Sequence, residues 1–318
     1  MQPDIAAACC HFNPCHYQAR LRNYRLFREN VVRSGVELLT VELAFGDDEF
    51  ELRDAASTLQ LRGSDVMWQK ERLLNIGLAE LVRRGYSKLV WLDADILFPE
   101  PELWAQRVSQ ALDQYPLVQV FEKALYCNSS GLLAQRQLGC AACHRLTGQW
   151  NNWASARGGG WGLRSEVFQA VPLYDAAILG GGDTLMYCAC HSTAGPEALC
   201  EGIACMPRLL AFPASFTTHW LAWSERWGDA VQGNVGYVRQ PVHVLYHGQW
   251  QHRGYVSRFQ ILTQHNFDPR TDITCAPDAC WRWATPKPQF HRDVAEYFRS
   301  RREDGATAQV AQHALPDK

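Results

Sequence analysis

KLVWLDADILFP, residues 88–99, is the most informative stretch of the chain. It opens with an apolar run of strand length, which ends directly at two carboxylates, Asp93 and Asp95. Pro99 then separates this run from a helical pattern. Ligands of open α/β sheets bind at the carboxyl ends of strands. The stretch therefore predicts a strand of an α/β sheet that delivers two acidic side chains to a binding site.

The rest of the chain alternates apolar runs with amphipathic helical patterns, as folds with crossover helices do. The arginines of the first helix, Arg20 among them, lie largely off its apolar face and are predicted to be solvated. The polar segment 122–157 is predicted to be a loop or lid, and the tail 300–318 is predicted to fray. Predicted strands cover 5–12, 36–43, 58–62, 88–92, 117–121 and 242–246, and predicted helices end near 33 and cover 67–82 and 101–115.

Composition excludes several classes of protein. The chain has 318 residues, 47% of them hydrophobic, and 31 Lys and Arg against 33 Asp and Glu give a formal charge of −2. This balance argues against disorder and against a protein that mainly coats nucleic acid or an anionic membrane. The early apolar run 5–10 is too short for a membrane span, and the opening residues lack a basic signal-peptide region. We therefore expect a cytoplasmic protein with no membrane span and no nucleic-acid partner.

The chain contains 12 cysteines, several of them closely spaced. Without a secretion signal, reduced thiols with no further role are the default interpretation. Two alternatives remain open. Cys140, Cys143 and His144 match the CxxCH pattern of attached haem, and Cys140 and Cys143 could join Cys188 and Cys190 in a tetrahedral zinc site.

Asp93 and Asp95 share one face of an extended segment, so both can address one divalent cation. His243 and His247, on a later predicted strand, could complete the site, because an imidazole with one or two carboxylates suits Mn²⁺ or a similar ion. The alternative is that an aspartate simply caps the following helix. The pattern therefore predicts a cation site and leaves His243 and His247 both open as its histidine ligand.

Two further groups of residues could act on a ligand. Arg253 and Arg258 suit a diphosphate, which arginine can bind bidentately, although both could equally belong to an exposed helix start. The glycines at 180–182 allow a ligand to approach the backbone closely, and Asp183 follows them. Asp183 could be a general base for an acceptor hydroxyl or an N-cap of the next helix.

Taken in order, these motifs resemble those of metal-dependent glycosyltransferases of the GT-A fold. The resemblance is strongest to the β1,4-galactosyltransferase and polypeptide N-acetylgalactosaminyltransferase families. It rests on CHFNP (10–14), RLLNIG (72–77), LDADILFP (92–99), GGGWGLRSEVF (158–168) and LGGGD (179–183), which resemble the families' first strand and turn, KLLNVG, DVDLIP, GGVSALSKEQF and WGGED.

The resemblance implies a mixed, mostly parallel sheet flanked by helices in one domain over 1–299, with a nucleotide-binding half at 1–121 and an acceptor and metal half at 158–299. It implies Mn²⁺ or Mg²⁺ as cofactor, bound by Asp95, with Asp93 at the ion or the donor, and by His247, with His243 as an alternative. Asp183 would be the catalytic base. Expected donor-binding residues are His11, Phe12, Asn13, Lys70, Asn75, Arg253 and Arg258, and expected sugar or acceptor contacts are Gly159, Gly160, Trp161, Gly181 and Gly182.

The implied activity is transfer of a hexose or N-acetylhexosamine from a nucleotide-diphosphate sugar, most readily a UDP-sugar, to an unknown acceptor with inversion. Two departures affect the sugar contacts, since Leu179 and Gly182 replace the Trp and the acidic residue of WGGED. Three alternatives remain: a sugar nucleotidyltransferase, a Cys-rich zinc- or haem-binding module, and an inactive sugar-binding relative. The first normally carries a glycine-rich loop after its first strand, and CHFNPCHYQAR contains no glycine.

Overall fold

A computed structural model of the chain describes residues 4–53, 56–150, 152, 154–191, 212–255, 257–276 and 279–305. Its strands are β1 (Ile5–Phe12), β2 (Glu37–Phe45), β3 (Thr58–Gly63), β4 (Lys88–Leu92), β5 (Ile96–Leu97), β6 (Leu117–Gln119), β7 (Lys123–Cys127), β8 (Leu133–Leu138), β9 (Gly160–Arg164), β10 (Val235–Tyr237), β11 (Pro241–Val244), β12 (Ile273–Thr274) and β13 (Arg282–Trp283). The strand predicted from KLVWL is therefore β4.

A seven-stranded sheet forms the centre of the molecule, in the order β10-β6-β9-β4-β1-β2-β3. Its neighbouring strands run parallel except for β9, which lies antiparallel between β4 and β6. The predicted α/β class with a mixed, mainly parallel sheet flanked by helices is confirmed. The helices are α1 (Gln18–Val31), α2 (Lys70–Arg83), α3 (Trp104–Leu112), α4 (Cys140–Thr147), α5 (Ser165–Ala170), α6 (Gly182–Ala189), α7 (Ala214–Val231), α8 (Arg258–Gln264) and α9 (Pro288–Ser300).

The sheet is buried on both faces, which explains why its central strands are apolar throughout. Successive residues of β4 alternate between two hydrophobic clusters: Leu89 and Trp91 pack on one side, and Val90 and Leu92 on the other. The first cluster receives the apolar stripe of α2, and the second receives those of α1 and α3. This packing holds the carboxyl end of β4, and so the two aspartates that follow it, in a fixed place.

A four-stranded sheet, in the order β5-β11-β7-β8, lies beside the main one. Its β7 and β8 form an antiparallel hairpin, and α4 follows them. The prediction that 122–157 is a loop or lid was therefore wrong for most of its length. The strand β8 is largely exposed and polar, so the segment lacks the apolar pattern by which a strand is recognised.

The prediction of a frayed tail was wrong for residues 301–305, whereas 306–318 lie outside the described residues. Arg301 and Glu303 are buried, and the carboxylate of Asp304 accepts hydrogen bonds from the backbone N–H groups of Gln18 and Ala19 at 3.1 and 2.7 Å. An acidic side chain there satisfies free donors at the start of α1. Within the described part of the chain, no helix is both long enough and apolar enough to cross a bilayer.

Candidate active site

A cavity of about 360 Å³ opens where β1 and β4 end. Both sheets contribute to it, because its lining includes residues of β1, the segment after β4, the turn before β9, the start of α6 and the chain after β11. This position is the one expected for a ligand site of an α/β sheet. The predicted residues that line it are His11, Phe12, Lys70, Asp93, Asp95, Gly159, Gly181, Asp183, His247, Arg253 and Arg258.

One side of the cavity is an acidic floor, formed by Lys70, Asp93 and Asp183. The ammonium of Lys70 lies 2.5 Å from Asp93 Oδ1 and 2.7 Å from Asp183 Oδ2. Asp93 Oδ2 accepts a hydrogen bond from the backbone N–H of Gly159 at 2.9 Å. One buried cation thus joins two carboxylates that are remote in sequence.

The charges of the floor depend on one another. Burial raises the pKa of Asp183, although the ammonium of Lys70 works in the opposite direction. Burial opposes the charge of Lys70, but Asp183 and Asp93 outweigh it and raise the pKa of that lysine well above its usual value. Glu71, behind the floor, has its pKa raised to about 8, mainly by burial. Asp183 is therefore the carboxylate of the floor best suited to take up a proton.

The alternative that Asp183 caps a helix is wrong. Gly181, with a φ of +97°, is the N-cap of α6, and Asp183 lies in the first turn with its side chain directed to Lys70. Gly180 also has a positive φ, +81°, a conformation that favours glycine. The glycine run bends the chain so that Asp183 faces the cavity.

Asp95 and His247 meet on another part of the lining. His247 Nδ1 lies 2.8 Å from Asp95 Oδ2 and 2.9 Å from the carbonyl oxygen of Leu245. In this structure a proton on Nδ1 serves both acceptors, and a cation bound by both side chains would replace that proton, since metal ligands must be deprotonated. Burial raises the pKa of Asp95, with Arg253 opposing the rise. The pair fits a divalent cation that takes its remaining ligands from phosphate oxygens and water.

Asp93 is not a third member of this pair, because Lys70 and Gly159 already hold both of its carboxylate oxygens. Across the residues that the structure describes, no three His, Cys, Asp or Glu side chains form a group that could enclose a metal ion. The alternative histidine, His243, lies on β11 opposite Leu97 and does not line the cavity. Of the predicted metal ligands, Asp95 and His247 are the two whose side chains contact each other.

Another part of the lining is an arginine wall, formed by Arg20, Arg253, Arg258, Arg301 and Glu303. Arg20 Nε and Arg301 Nε each lie 2.6 Å from an oxygen of Glu303. Arg253 Nη2 donates to the carbonyl oxygen of His247 at 2.5 Å. Burial, followed by the nearby Arg301, lowers the pKa of Arg253. The wall therefore carries more positive charge than its single carboxylate balances.

The end of β1 forms a further part of the lining. His11 Nε2 lies 2.5 Å from Glu51 Oε2, and Phe12 packs edge-on against Trp68 with ring centroids 5.5 Å apart. Asn13 does not line the cavity, contrary to the prediction, because its amide donates to Glu51 at 3.0 Å and to the carbonyl oxygen of Tyr17 at 3.1 Å. Asn13 instead closes the turn that leads into α1.

Four other predicted contacts also lie outside the lining. Asn75 exchanges hydrogen bonds with the backbone of Leu173, each 2.9 Å long, and Gly160 belongs to the buried strand β9. Trp161 is 0% exposed and donates to the carbonyl oxygen of Arg157 at 2.8 Å. At Gly182 a side chain would collide with the carboxylate of Glu71. These contacts give the four residues structural roles. Their prediction as site residues failed because sequence spacing cannot tell the two faces of a buried strand or helix apart.

The cysteines do not form the zinc or haem sites considered above. Cys140 and Cys143 are buried on α4, where their sulfurs contact Gln119 Oε1 at 3.7 Å and Thr147 Oγ1 at 3.8 Å. Cys190 Sγ accepts from Trp227 Nε1 at 3.2 Å. No disulfide joins cysteines within the described residues. Packing in the hydrophobic core accounts for these sulfurs.

Several residues of the lining were missed by sequence reasoning. Arg20 was assigned to a solvated face, and Arg301 and Glu303 to the tail. Trp250, at the rim, is 52% exposed although it is large and apolar. The usable signals were the two basic residues followed by two acidic residues in RRED at 301–304 and the aromatic residues around His247. The missed lining residues include Arg20, Trp68, Tyr126, Arg157, Trp250, Arg301 and Glu303.

No protein-family model matches the chain, and no curated protein matches it. Solved structures of glucosyl-3-phosphoglycerate synthase from Mycobacterium tuberculosis are similar at a low level. The complex with Mn²⁺, UDP and phosphoglyceric acid has 14% identity and a TM-score of 0.41 over 85% of this chain and 81% of that one. The complex with Mn²⁺, UDP and glucosyl-3-phosphoglycerate has 16% identity and a TM-score of 0.42 over 82% and 78%. Similarity at this level leaves the function to be argued from the cavity itself.

Proposed function

We propose that the chain is a metal-dependent glycosyltransferase of the GT-A fold. It moves a hexose or N-acetylhexosamine from a nucleotide-diphosphate sugar, with UDP-sugars as the first candidates, to an acceptor hydroxyl with inversion. One observation carries the proposal: a single cavity at the ends of β1 and β4 is lined by an acidic floor, the Asp95–His247 pair and an arginine wall. These are the groups that such a transfer requires.

The reaction develops negative charge on the departing diphosphate and positive charge on the anomeric carbon. Asp95 and His247 are the residues that would hold Mn²⁺ or Mg²⁺, which supplies Lewis-acid stabilisation of the leaving phosphate when bound. Arg253, hydrogen-bonded to the carbonyl oxygen of His247, adds a fixed guanidinium beside that pair. His11 and Phe12, at the end of β1, line the part of the cavity proposed for the nucleotide.

Asp183 is the proposed general base. Its carboxylate lines the cavity and takes the proton of the acceptor hydroxyl as that oxygen attacks the anomeric carbon. Lys70 keeps Asp183 in place and favours its ionised form, while Asp93, held by Lys70 and by Gly159, completes the floor on which the donor sugar rests. Displacement by a single attack of this kind inverts the anomeric carbon.

The test is a panel of nucleotide sugars incubated with the protein and Mn²⁺, scored for release of the nucleoside diphosphate without an acceptor and again with EDTA. We expect slow hydrolysis of at least one UDP-sugar, abolished by EDTA. Binding of a nucleotide sugar without turnover of any would instead support the inactive relative, which the replacement of two WGGED residues by Leu179 and Gly182 keeps open.

A further inference from the structure

Arg258 occupies a different part of the arginine wall from Arg253. Its side chain is 7% exposed and lines the cavity. Its Nη1 and Nη2 atoms lie 3.3 and 3.5 Å from the positions that Cβ atoms would take on Gly180 and Gly181. The guanidinium is therefore packed against the glycine turn that leads to Asp183, whereas Arg253 reaches the carbonyl oxygen of His247.

Among the described residues, the guanidinium of Arg258 has no negative partner. Its Nη1 donates to the hydroxyl of Tyr297 at 3.0 Å, and its Nε is buried without a hydrogen-bond partner. Over the described ranges, no carboxylate lies within ion-pair distance of this side chain. A buried cation without a counter-ion is costly, so an anionic ligand at this place is strongly favoured.

The surroundings reinforce this preference. Gly181 is the N-cap of α6, an eight-residue helix whose first turn contains Asp183. The free N–H groups and the dipole at this end of the helix favour negative charge. The aromatic rings of Tyr255 and Phe259 lie 5.3 and 4.7 Å from the Arg258 guanidinium carbon and hold it in place. A fixed positive site thus stands on the side of the cavity that carries the proposed base.

We propose that Arg258 binds an anionic group, a carboxylate or a phosphate, on the acceptor whose hydroxyl is presented to Asp183. This inference rests on the proposed function, in which the donor diphosphate lies at Asp95, His247 and Arg253. An acceptor of this class carries its negative charge on the side of the glycine turn, so that one guanidinium both attracts it and orients its hydroxyl. Neutral acceptors lack the group that pairs with Arg258.

The experiment compares acceptors that differ only in charge. Glucose 6-phosphate, glucuronate and glucose are offered to the wild-type protein with Mn²⁺ and the UDP-sugar that it hydrolyses. We expect a kcat/KM for at least one anionic acceptor that exceeds that for glucose by about 10- to 100-fold, as one or two charge-assisted hydrogen bonds would give. The two anionic acceptors distinguish a phosphate site from a carboxylate site. Equal rates with all three acceptors would overturn the inference.

Two substitutions then separate acceptor binding from donor binding. Arg258→Gln should remove most of the preference for anionic acceptors, and Arg258→Lys should keep part of it, while calorimetric titration with UDP and Mn²⁺ should give the wild-type affinity for both. Arg253→Gln should instead weaken UDP binding. A loss of UDP affinity in Arg258→Gln as large as that in Arg253→Gln would place Arg258 at the donor and contradict the inference.

Arg299→Gln is the matched control, because Arg299 is exposed and pairs with Glu296 at 3.1 Å away from the cavity. Thermal melting of each variant checks that it is folded. If Arg258→Gln does not fold, Arg258→Lys takes its place in the comparison.

The experiments distinguish failure of the proposed function from failure of this inference. If no variant binds UDP or hydrolyses any UDP-sugar, the proposed function is wrong and this inference falls with it. Hydrolysis of a UDP-sugar without preference for charged acceptors refutes this inference alone.

Discussion

The acidic floor and the arginine wall line one cavity but are built on opposite principles. In the floor, Lys70 is shared by Asp93 and Asp183, so that each charge has a partner. In the wall, Glu303 pairs with Arg20 and Arg301, while Arg253 donates to a backbone carbonyl oxygen and Arg258 donates to a tyrosine hydroxyl. In the proposed function this difference is a division of work. The floor would position groups for chemistry, and the wall would keep positive charge available for a ligand.

The largest effect is expected from Asp183→Asn, which should separate the two regions most clearly. Loss of a general base should lower the transfer rate by up to about 10⁴-fold. Affinity for UDP with Mn²⁺ should stay within about twofold of the wild type, because the proposed function places the diphosphate at Asp95, His247 and Arg253. A general base contributes little to ground-state binding. Asp113→Asn is the control, because Asp113 is 63% exposed and pairs with Lys88 away from the cavity. An equal loss of UDP binding would mean that Asp183 has a structural role.

Asp95→Asn should weaken the proposed cation site, which Asp95 forms with His247. We expect a loss of roughly a thousandfold in turnover, since several kcal/mol of transition-state stabilisation would be removed. The Mn²⁺ concentration needed for half-maximal activity should rise as well. Turnover that stays near normal and still requires Mn²⁺ would remove Asp95 from the cation site.

Lys70→Met tests whether the floor depends on its shared cation. Removing one partner of a buried ion pair costs about 3–5 kcal/mol, which urea unfolding at pH 7 would measure. Without Lys70, the pKa of Asp183 should rise further. A carboxyl group with a raised folded-state pKa loses its stabilising contribution as pH increases, so the destabilisation should be smaller at pH 5 than at pH 8.

The double variant Lys70→Met/Asp183→Asn sharpens this test. Because it removes one of the two facing carboxylates together with the lysine, it should be less destabilised than the sum of the single variants, by about 0.5–3 kcal/mol. Additive losses would show that Lys70 and Asp183 do not interact energetically. The ion pair of the floor would then contribute nothing to stability.

The smallest effect is expected from Glu303→Gln, which unbalances Arg20 and Arg301. Burial opposes ionisation of Glu303, but these arginines outweigh it and lower its pKa below the usual range. A lowered folded-state pKa stabilises the protein above the unfolded value, about 4.3, and that stabilisation is lost as pH falls further. We expect a cost of about 1–3 kcal/mol at pH 7 that shrinks towards pH 3.

Urea unfolding at both pH values would measure the difference, with Glu296→Gln at an exposed position of α9 as control. A loss that does not depend on pH would contradict the assigned ion pairs. Greater destabilisation in acid would reverse the expected sign.

The floor could be predicted largely from the sequence, whereas of the wall only Arg253 and Arg258 could. The strand β4 and the glycines before Asp183 have local patterns of apolarity and turn chemistry. The contact of Lys70 with Asp183 spans 113 residues, and that of Arg20 with Glu303 spans 283. Charged residues give no periodic signal of such pairing, so Arg20 looked solvated and the RRED stretch looked like a tail. The prediction that Asn75 and Trp161 line the site was wrong for another reason. Both belong to recognisable motifs, but a motif does not reveal which of its side chains points into the core.

Arg20 pairs with Glu303, and the start of α1 contacts Asp304. These long-range contacts also affect the order in which parts of the protein fold during synthesis. Contacts between such distant parts of a chain form late, because a long loop must close first. On the ribosome, the strands that support the floor can assemble while the rest is still being translated. The wall is complete only after residue 304 has emerged. In a nascent chain, Asp183 can therefore reach its place in the floor well before Arg20 and Arg301 pair with Glu303, so the wall is the last part of the cavity to form.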